Sequence, residues 1–435
     1  MAFGIVILCA GVLSRRRAFV LVLGGLSVAV MSFNAREGLR PVQVREFAGV
    51  VRLVSDPKTF PGRVVVDADT DLGRVQLTAT GRAASVVRQA SAGRELSVRG
   101  TLRNLAHPER VAYRHLRMAM SASEASLERG IDLWRVPVDL VRGAILRGAQ
   151  VLPEEQRPLY TGFVIGDDRG SREEVVQAFK DSGLSHLLVV SGQNVVFLLA
   201  IATPLAARLG RRSNVVVLLL VLLLFAAVTR FEPSVLRACA MAMLAVAGAS
   251  SGRPLTTSRR IAVAVALLIM VDPLLVESLG FRLSVAATVG IALLASGIAR
   301  RLRGPEWFKR VLSITIAAQV AVAPLIIPVV GPLPLASLPA NVLAEPIAGF
   351  VMMWGSTVGV VAGLIGGWPA AILQAPVRLG VWWIMKVAEG CSGLPLPRVS
   401  LPVIIAITLS TLVLLRAHSS WRRSRRTLLR QVSAG

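Results

Sequence analysis

The sequence predicts a polytopic α-helical membrane protein of about nine to eleven spans with a small all-β domain inserted near its start. Three observations predict it. The 435-residue chain is 54% hydrophobic and 17% charged, more apolar than soluble domains are. Its apolar residues are bunched: Asn214–Thr229 holds no charge, and Ile261–Val271 and Leu283–Ile298 are similar. Residues 35–126 break this pattern with short alternating runs separated by turn residues.

Taken in order, residues 1–34 form an N-terminal membrane part. Phe3–Leu13 is apolar and is followed, not preceded, by Arg15, Arg16 and Arg17, the reverse of a secretory signal. Ala18–Ser32 is a second apolar span. The β domain is expected over 35–126, with strands in Val42–Val54, Arg63–Ala68, Arg74–Thr80 and Glu95–Leu102. Pro61-Gly62, Asp71-Leu72-Gly73 and Ser91-Ala92-Gly93 supply turns, and Ala83–Gln89 reads as a short helix. Strands, a helix and then further strands is the order of an OB-type barrel. Over 127–158, Ile131, Trp134, Val138, Val141 and Ile145 alternate with Arg135, Arg142 and Arg147. That spacing suits an amphipathic helix in the membrane interface or an ordinary packed helix.

Residues 159–416 form the main membrane domain, with spans near 184–206, 213–229, 234–250, 260–272, 279–298, 311–330, 337–364, 370–388 and 401–416. Residues 417–435 are a basic tail. Arginines cluster in alternate connections, at Arg208/Arg211/Arg212, Arg253/Arg259/Arg260, Arg300/Arg301/Arg303 and Arg422/Arg423/Arg425/Arg426. The intervening connections are poor in basic residues, so the positive-inside rule puts the β domain outside and the C-terminus in the cytoplasm. The formal net charge of +24, from 49 Lys and Arg against 25 Asp and Glu, has two readings. It sets topology, or it serves a polyanion that binds or passes.

Cys9, Cys239 and Cys391 fall in or beside apolar runs, and the histidines are scattered. No metal-ligand spacing, nucleophile elbow or phosphate-binding loop is present. No catalytic centre, metal site or cofactor is expected.

The segment Gly183–Val195 reads GLSHLLVVSGQNV, and Pro233-Ser234-Val235-Leu236-Arg237-Ala238 follows. Asp272-Pro273 leads into Gly280–Thr288, and Ala323-Pro324-Leu325 precedes Asn341-Val342-Leu343-Ala344-Glu345-Pro346. Together with Gly166-Asp167-Asp168-Arg169 and Phe179 ahead of them, these segments resemble the ComEC family of competence proteins across residues 159–415. The resemblance implies import of single-stranded DNA across the cytoplasmic membrane during natural transformation. It also implies a DNA receptor outside, a separate nuclease and a cytoplasmic ATP-driven or DNA-binding partner. Two departures stand out: Asn194 occupies a position where the family commonly has His, and the metallo-β-lactamase-like domain of many members is not in this sequence.

A path for phosphates through a bilayer needs polar or positive lining. The candidates are His186, Ser191, Gly192, Gln193, Asn194, Ser234, Arg237, Arg282, Gln319 and Asn341, with Ser191-Gly192 a place where a helix can unwind. Asp167, Asp168 and Arg169 are expected at the mouth of the path. For Arg237 and Arg282 the other reading is snorkelling to the interface. For Gln319 and Asn341 it is helix–helix hydrogen bonding, and for His186 a packed or capping role. Glu345 would repel phosphate, so an internal ion pair with Arg237 or Arg282 is expected. The β domain carries Arg82, Arg88, Arg94, Arg99 and Arg103 but few aromatics (Phe47, Phe60, Tyr113), which permits nucleic-acid contact without requiring it. A small-solute or lipid transporter would need a midplane pocket and internal repeats. An intramembrane hydrolase would use Ser191 or Asp167/Asp168 with a nearby base.

Overall fold

The computed structural model describes residues 28–41, 45–128, 135–188, 190, 192–250, 256–394 and 397–399. The expected spans at 3–13 and 401–416, most of that at 18–32, the basic tail and Ser191 lie outside the described residues. A helix over 28–37 (α1) leads into the β domain.

The β domain is a closed barrel. Its strands are β1 (Glu46–Leu53), the short β2 (Lys58–Phe60), β3 (Arg63–Thr70), β4 (Gly73–Thr80), β5 (Glu95–Arg103) and β6 (Met118–Leu127). They run in the order β1-β5-β6-β4-β3-β2, and β1 also pairs with β3 to close the sheet. Every pairing is antiparallel except β4 with β6, where Leu77 stands beside Met120. Helix α2 (Gly81–Gln89) lies between β4 and β5. This is OB-fold connectivity, as expected from the strand order. Alternation builds it: Val64, Val66 and Ala68 on β3 and Val75, Leu77 and Ala79 on β4 all turn inward. Ala83, Ala84 and Val87 of α2 plug the same core. Gly100 sits at a register shift between β5 and β6, where a Cβ would collide with the Ser121 carbonyl.

The helices that follow are α3 (Val136–Ala149), α4 (Arg157–Ile165), α5 (Glu173–Asp181), α6 (Gly192–Ala206), α7 (Arg211–Val228), α8 (Pro233–Ser250) and α9 (Thr257–Val271). After them come α10 (Leu279–Ala299), α11 (Glu306–Val330), α12 (Ser337–Ile365) and α13 (Gly367–Ser392). The chain is a multi-pass membrane protein with an inserted β domain. Among the described residues four helices, α7, α8, α10 and α11, are long and apolar enough to cross a membrane. The two parts of α12, Ser337–Ser356 and Val358–Ile365, meet at 46° and count as a fifth if they form one span. The span expected at 184–206 is shorter than predicted, while α9 closely follows the run expected at 260–272. α6 and α9 have 15 residues each, about 22 Å of axis, which falls short of a hydrocarbon core of roughly 30 Å.

The described chain divides into two compact units. The first takes in the β domain, α3, α4, α6–α9 and the chain from Ala348 to Trp382. The second takes in Glu173–Ser185, Leu283–Ile347 and the chain from Trp383. Within the first unit, Val190, Val195, Leu222, Phe225, Val235 and Cys239 join α6, α7 and α8 in one apolar cluster. Gly355, Gly359 and Gly363 recur every fourth residue on α12, a small-residue face of the kind membrane helices use for close approach. A Cβ on Gly363 would run into the Ala144 carbonyl of α3, and one on Gly359 into the Tyr160 hydroxyl of α4. So α3 buries Val138, Ala144, Ile145 and Ala149 while Val136 and Leu140 stay exposed. It is packed on one side and apolar on the other.

The β domain is fastened to the helices by buried charge. Asp56, in the loop after β1, accepts from Arg142 Nη2 of α3 at 2.5 Å. It also accepts from Arg230 Nη2, after α7, at 3.2 Å and from the Ala92 amide at 3.0 Å. Arg142 Nη1 in turn donates to the Val228 carbonyl at the end of α7, 2.6 Å away. Burial raises the Asp56 carboxyl, but Arg142, Arg230 and the Ala92 N–H outweigh it and hold the pKa down to about 2. Nearby, His115 Nε2 lies 2.9 Å from Asp272 Oδ2, tying the connector before β6 to the end of α9.

The packing and the buried charge are both tested on the full chain in detergent. Gly363→Ala overpacks the α3–α12 crossing and lowers thermal stability by about 1–3 kcal/mol. Gly390→Ala, where a Cβ meets nothing within 4 Å, leaves it unchanged or slightly raised. Removing Arg142 alone, as Arg142→Ala, leaves buried Asp56 with only Arg230 and the Ala92 amide and costs about 3 kcal/mol, the low end for breaking a buried pair. The double variant with Asp56→Asn loses less than the sum of the two singles. Because the Asp56 pKa is depressed, its contribution is present above the ordinary value of 3.8 and lost as pH falls through about 2. The melting-temperature gap between wild type and Asp56→Asn should therefore hold from pH 7 to 4 and close below.

Candidate functional site

The predicted break lies before α6. A 3-10 turn, Ser185–Leu188, is followed by α6 starting at Gly192. A helix interrupted inside an apolar cluster frees backbone carbonyls that lipid cannot satisfy, and side chains answer them. Ser234 Oγ, in the first turn of α8, donates to the Val190 carbonyl at 2.8 Å. Asn194 Nδ2, in the first turn of α6, donates to the Phe163 carbonyl at 3.0 Å. That carbonyl lies in the last turn of α4, where helix geometry supplies no amide donor.

Arg237 stands one turn into α8, only 7% exposed, and donates to Met241 Sδ at 3.2 Å. A Cβ on Gly192 would stand 3.3 Å from Arg237 Nη2 and 3.0 Å from the Ala238 Cβ. Glycine is therefore what lets α8 and its guanidinium approach the start of α6. Gln193 reaches α12, where a Cβ on Gly349 would meet its Nε2 at 3.3 Å. The structure thus brings together Gly192, Gln193, Asn194, Ser234 and Arg237 within the first unit. His186 is exposed on the 3-10 turn.

The Gly166–Arg169 segment terminates α4. Gly166 caps the helix at φ 74°, a left-handed conformation that suits glycine. Asp167, buried, accepts from Arg169 Nε at 2.6 Å and Nη2 at 2.5 Å. Arg142 Nη2 is 3.5 Å from its carboxylate. The hydrogen bond it donates to Asp167 holds the Arg169 guanidinium above its usual range. Asp167 is thereby committed to arginine, and Asp168 is the exposed carboxylate of the pair.

In the second unit, Gln319 Nε2 of α11 donates to Ser337 Oγ at 2.9 Å, and Asn341 Nδ2 donates to the Ser337 carbonyl at 2.7 Å. Here Gln319 makes a contact between helices. Glu345 is half-buried one turn after Asn341. Arg282, in the first unit, is exposed and donates to the Glu277 carbonyl at 3.2 Å.

Sequence reasoning missed the residues that hold these pieces in place. Asp56, Arg142 and Arg230 form one buried network across separations of 86 and 174 residues, and no local pattern marks such partners. Ser337, where Gln319 and Asn341 meet, was equally silent. The Gly355, Gly359 and Gly363 stripe was readable, since its spacing is the small-residue signature of membrane helix pairs.

The sequence pattern described as Competence protein matches residues 163–424, more than half of the chain. ComE operon protein 3 of Bacillus subtilis (strain 168) is 27% identical over 212 residues, which is 48% of this chain and 27% of that relative. The alignment thus spans about a quarter of the relative's length. No solved structure matches. With its motif segments folded as described and its family pattern running from α4 past α13, the chain belongs to the competence protein family.

Proposed function

We propose that the chain takes part in DNA uptake, passing single-stranded DNA inward across the cytoplasmic membrane during natural transformation. One observation carries the reading. Two family segments far apart in sequence, Val190–Asn194 and Ser234–Arg237, fold against each other as a polar, arginine-bearing junction among apolar helices. A buried guanidinium beside an interrupted helix is an arrangement that favours a negatively charged, chain-like solute over a neutral one. In this reading His186, Ser191, Gln193 and Asn194 line the path with Arg237, while Arg282, Gln319 and Asn341 continue it. Asp168 and Arg169 lie near its mouth.

The β domain is placed outside and the basic C-terminal tail in the cytoplasm, on the alternation of arginine-rich connections. The reading implies an external DNA receptor, a separate nuclease and a cytoplasmic ATP-driven or DNA-binding partner. The ion pair of Glu345 with Arg237 or Arg282 is also retained as a proposal, since a lone carboxylate would oppose a phosphate chain.

Deletion of the gene should abolish transformation while DNA still binds at the cell surface; transformation that survives deletion would end the proposal. Arg237→Ala should lower uptake by about tenfold or more, the weight of one charge-assisted hydrogen bond, and His186→Ala should lower it too, both at normal protein level. Unchanged uptake in either variant removes that residue from the path. For Glu345, reversal to Arg combined with reversal of Arg237 or Arg282 to Glu should restore part of what each single change loses. Independent, additive losses would show the pair does not exist.

A further inference from the structure

We infer that Arg230, in the connection between α7 and α8, is a positioning residue of the proposed path. Held by Asp56 of the barrel, it fixes the turn from which α8 brings Ser234 and Arg237 to the break before α6. The inference rests on the proposed passage of a DNA strand and gives the barrel a part in it.

The turn closes α7 tightly and at a cost. The Arg230 amide donates to the Ala227 carbonyl at 3.0 Å and the Phe231 amide to the Ala226 carbonyl at 2.7 Å. This paired closure ends many helices, usually with glycine in the left-handed position. Here that position holds Arg230, at φ 58°, and Phe231 follows at φ 56°. Residues with a Cβ are disfavoured there, so two in succession persist only where the surroundings hold them. Phe231 offers little hold, since its side chain is 48% exposed. Arg230 offers more. Its Nη2 donates to Asp56 Oδ1 at 3.2 Å and its Nε to Asp56 Oδ2 at 3.4 Å. Asp56 is fixed to the barrel by the Ala92 amide, and Arg142 grips the end of α7 through the Val228 carbonyl.

No slack separates this turn from the polar junction. Helix α8 begins at Pro233, and the Leu236 amide already donates to the Glu232 carbonyl at 2.9 Å. Where Arg230 is held therefore sets where α8 starts and how it is rotated. One turn later, Ser234 Oγ reaches the Val190 carbonyl at 2.8 Å. Arg237 comes next, its guanidinium beside Gly192, where a Cβ would stand only 3.0 Å from the Ala238 Cβ. An α8 that drifted would lose the first contact or strike α6. Glycine at 230 would close α7 with less strain but would let go of the barrel. The tie to Asp56 is thus what the arginine adds.

The test is transformation by the full chain in cells, compared at equal protein level. Arg230→Gly should cut it about tenfold, the weight of one charge-assisted hydrogen bond, although glycine suits the turn. Combined with Arg237→Ala, it should lose clearly less than the product of the two single losses, because Arg230 acts by placing that guanidinium. Losses that multiply, as for independent sites, would overturn the inference, and so would undiminished transformation by Arg230→Gly. Arg230→Lys, which keeps a charge for Asp56, should retain about threefold more transformation than Arg230→Gln. Equal values for these two would also overturn it, and they decide the matter if Arg230→Gly fails to accumulate. If deletion and Arg237→Ala both lower transformation and Arg230→Gly does not, this inference alone fails. If deletion leaves transformation intact, the proposed passage itself fails.

Discussion

A backbone carbonyl freed by a broken helix has nowhere to turn inside an apolar bundle, and the rest of this structure depends on how those carbonyls are answered. Each answer comes from a polar side chain on a different helix. Asn194 supplies one to α4, Ser234 one to the break before α6, and Arg142 one to the end of α7. The polar groups that give the site its chemistry therefore also hold its helices in register. Removing such a side chain exposes a bare carbonyl as well as deleting a donor.

Close approach is the second condition. Hydrogen bonds from short side chains such as Ser234 reach a neighbouring helix only when the backbones nearly touch. Gly192 admits α8 with its guanidinium, and Gly359 and Gly363 admit α4 and α3 against α12. The bend of α12 falls inside that glycine stripe, where residues without side chains resist bending least. Packing and polarity are thus placed by the same small residues.

The sequence made the barrel legible because its cause is local: an inward Val66 or Leu77 at every second position reads as a strand whatever surrounds it. The start of α6 at Gly192 was legible for the same reason, since a polar stretch inside an apolar run marks a place where a helix is interrupted. Span lengths were less so. The span expected at 184–206 begins only at Gly192, after a 3-10 turn at Ser185–Leu188, and an apolar run alone does not show where such a turn delays a helix. Arg142 is the clearest miss. Its spacing fits the polar side of an amphipathic helix, yet it points inward because Asp56 and Asp167, brought there by tertiary structure alone, wait for it.

The barrel's own loops bear on what it does. In OB-folds the loop after the first strand and the loop before the last flank the face that takes ligands. Here the first of these carries Asp56, held by Arg142 and Arg230, and the second carries His115, paired with Asp272. Between them, on β3 and β4, Asp67 accepts from Arg114 and Asp69 from Arg74, so the charges of that face are already answered from within the barrel. The two gripping loops hold the helices of this same unit. A barrel fastened in this way is a fixed part of the first unit, held beside the α7–α8 and α9–α10 connections.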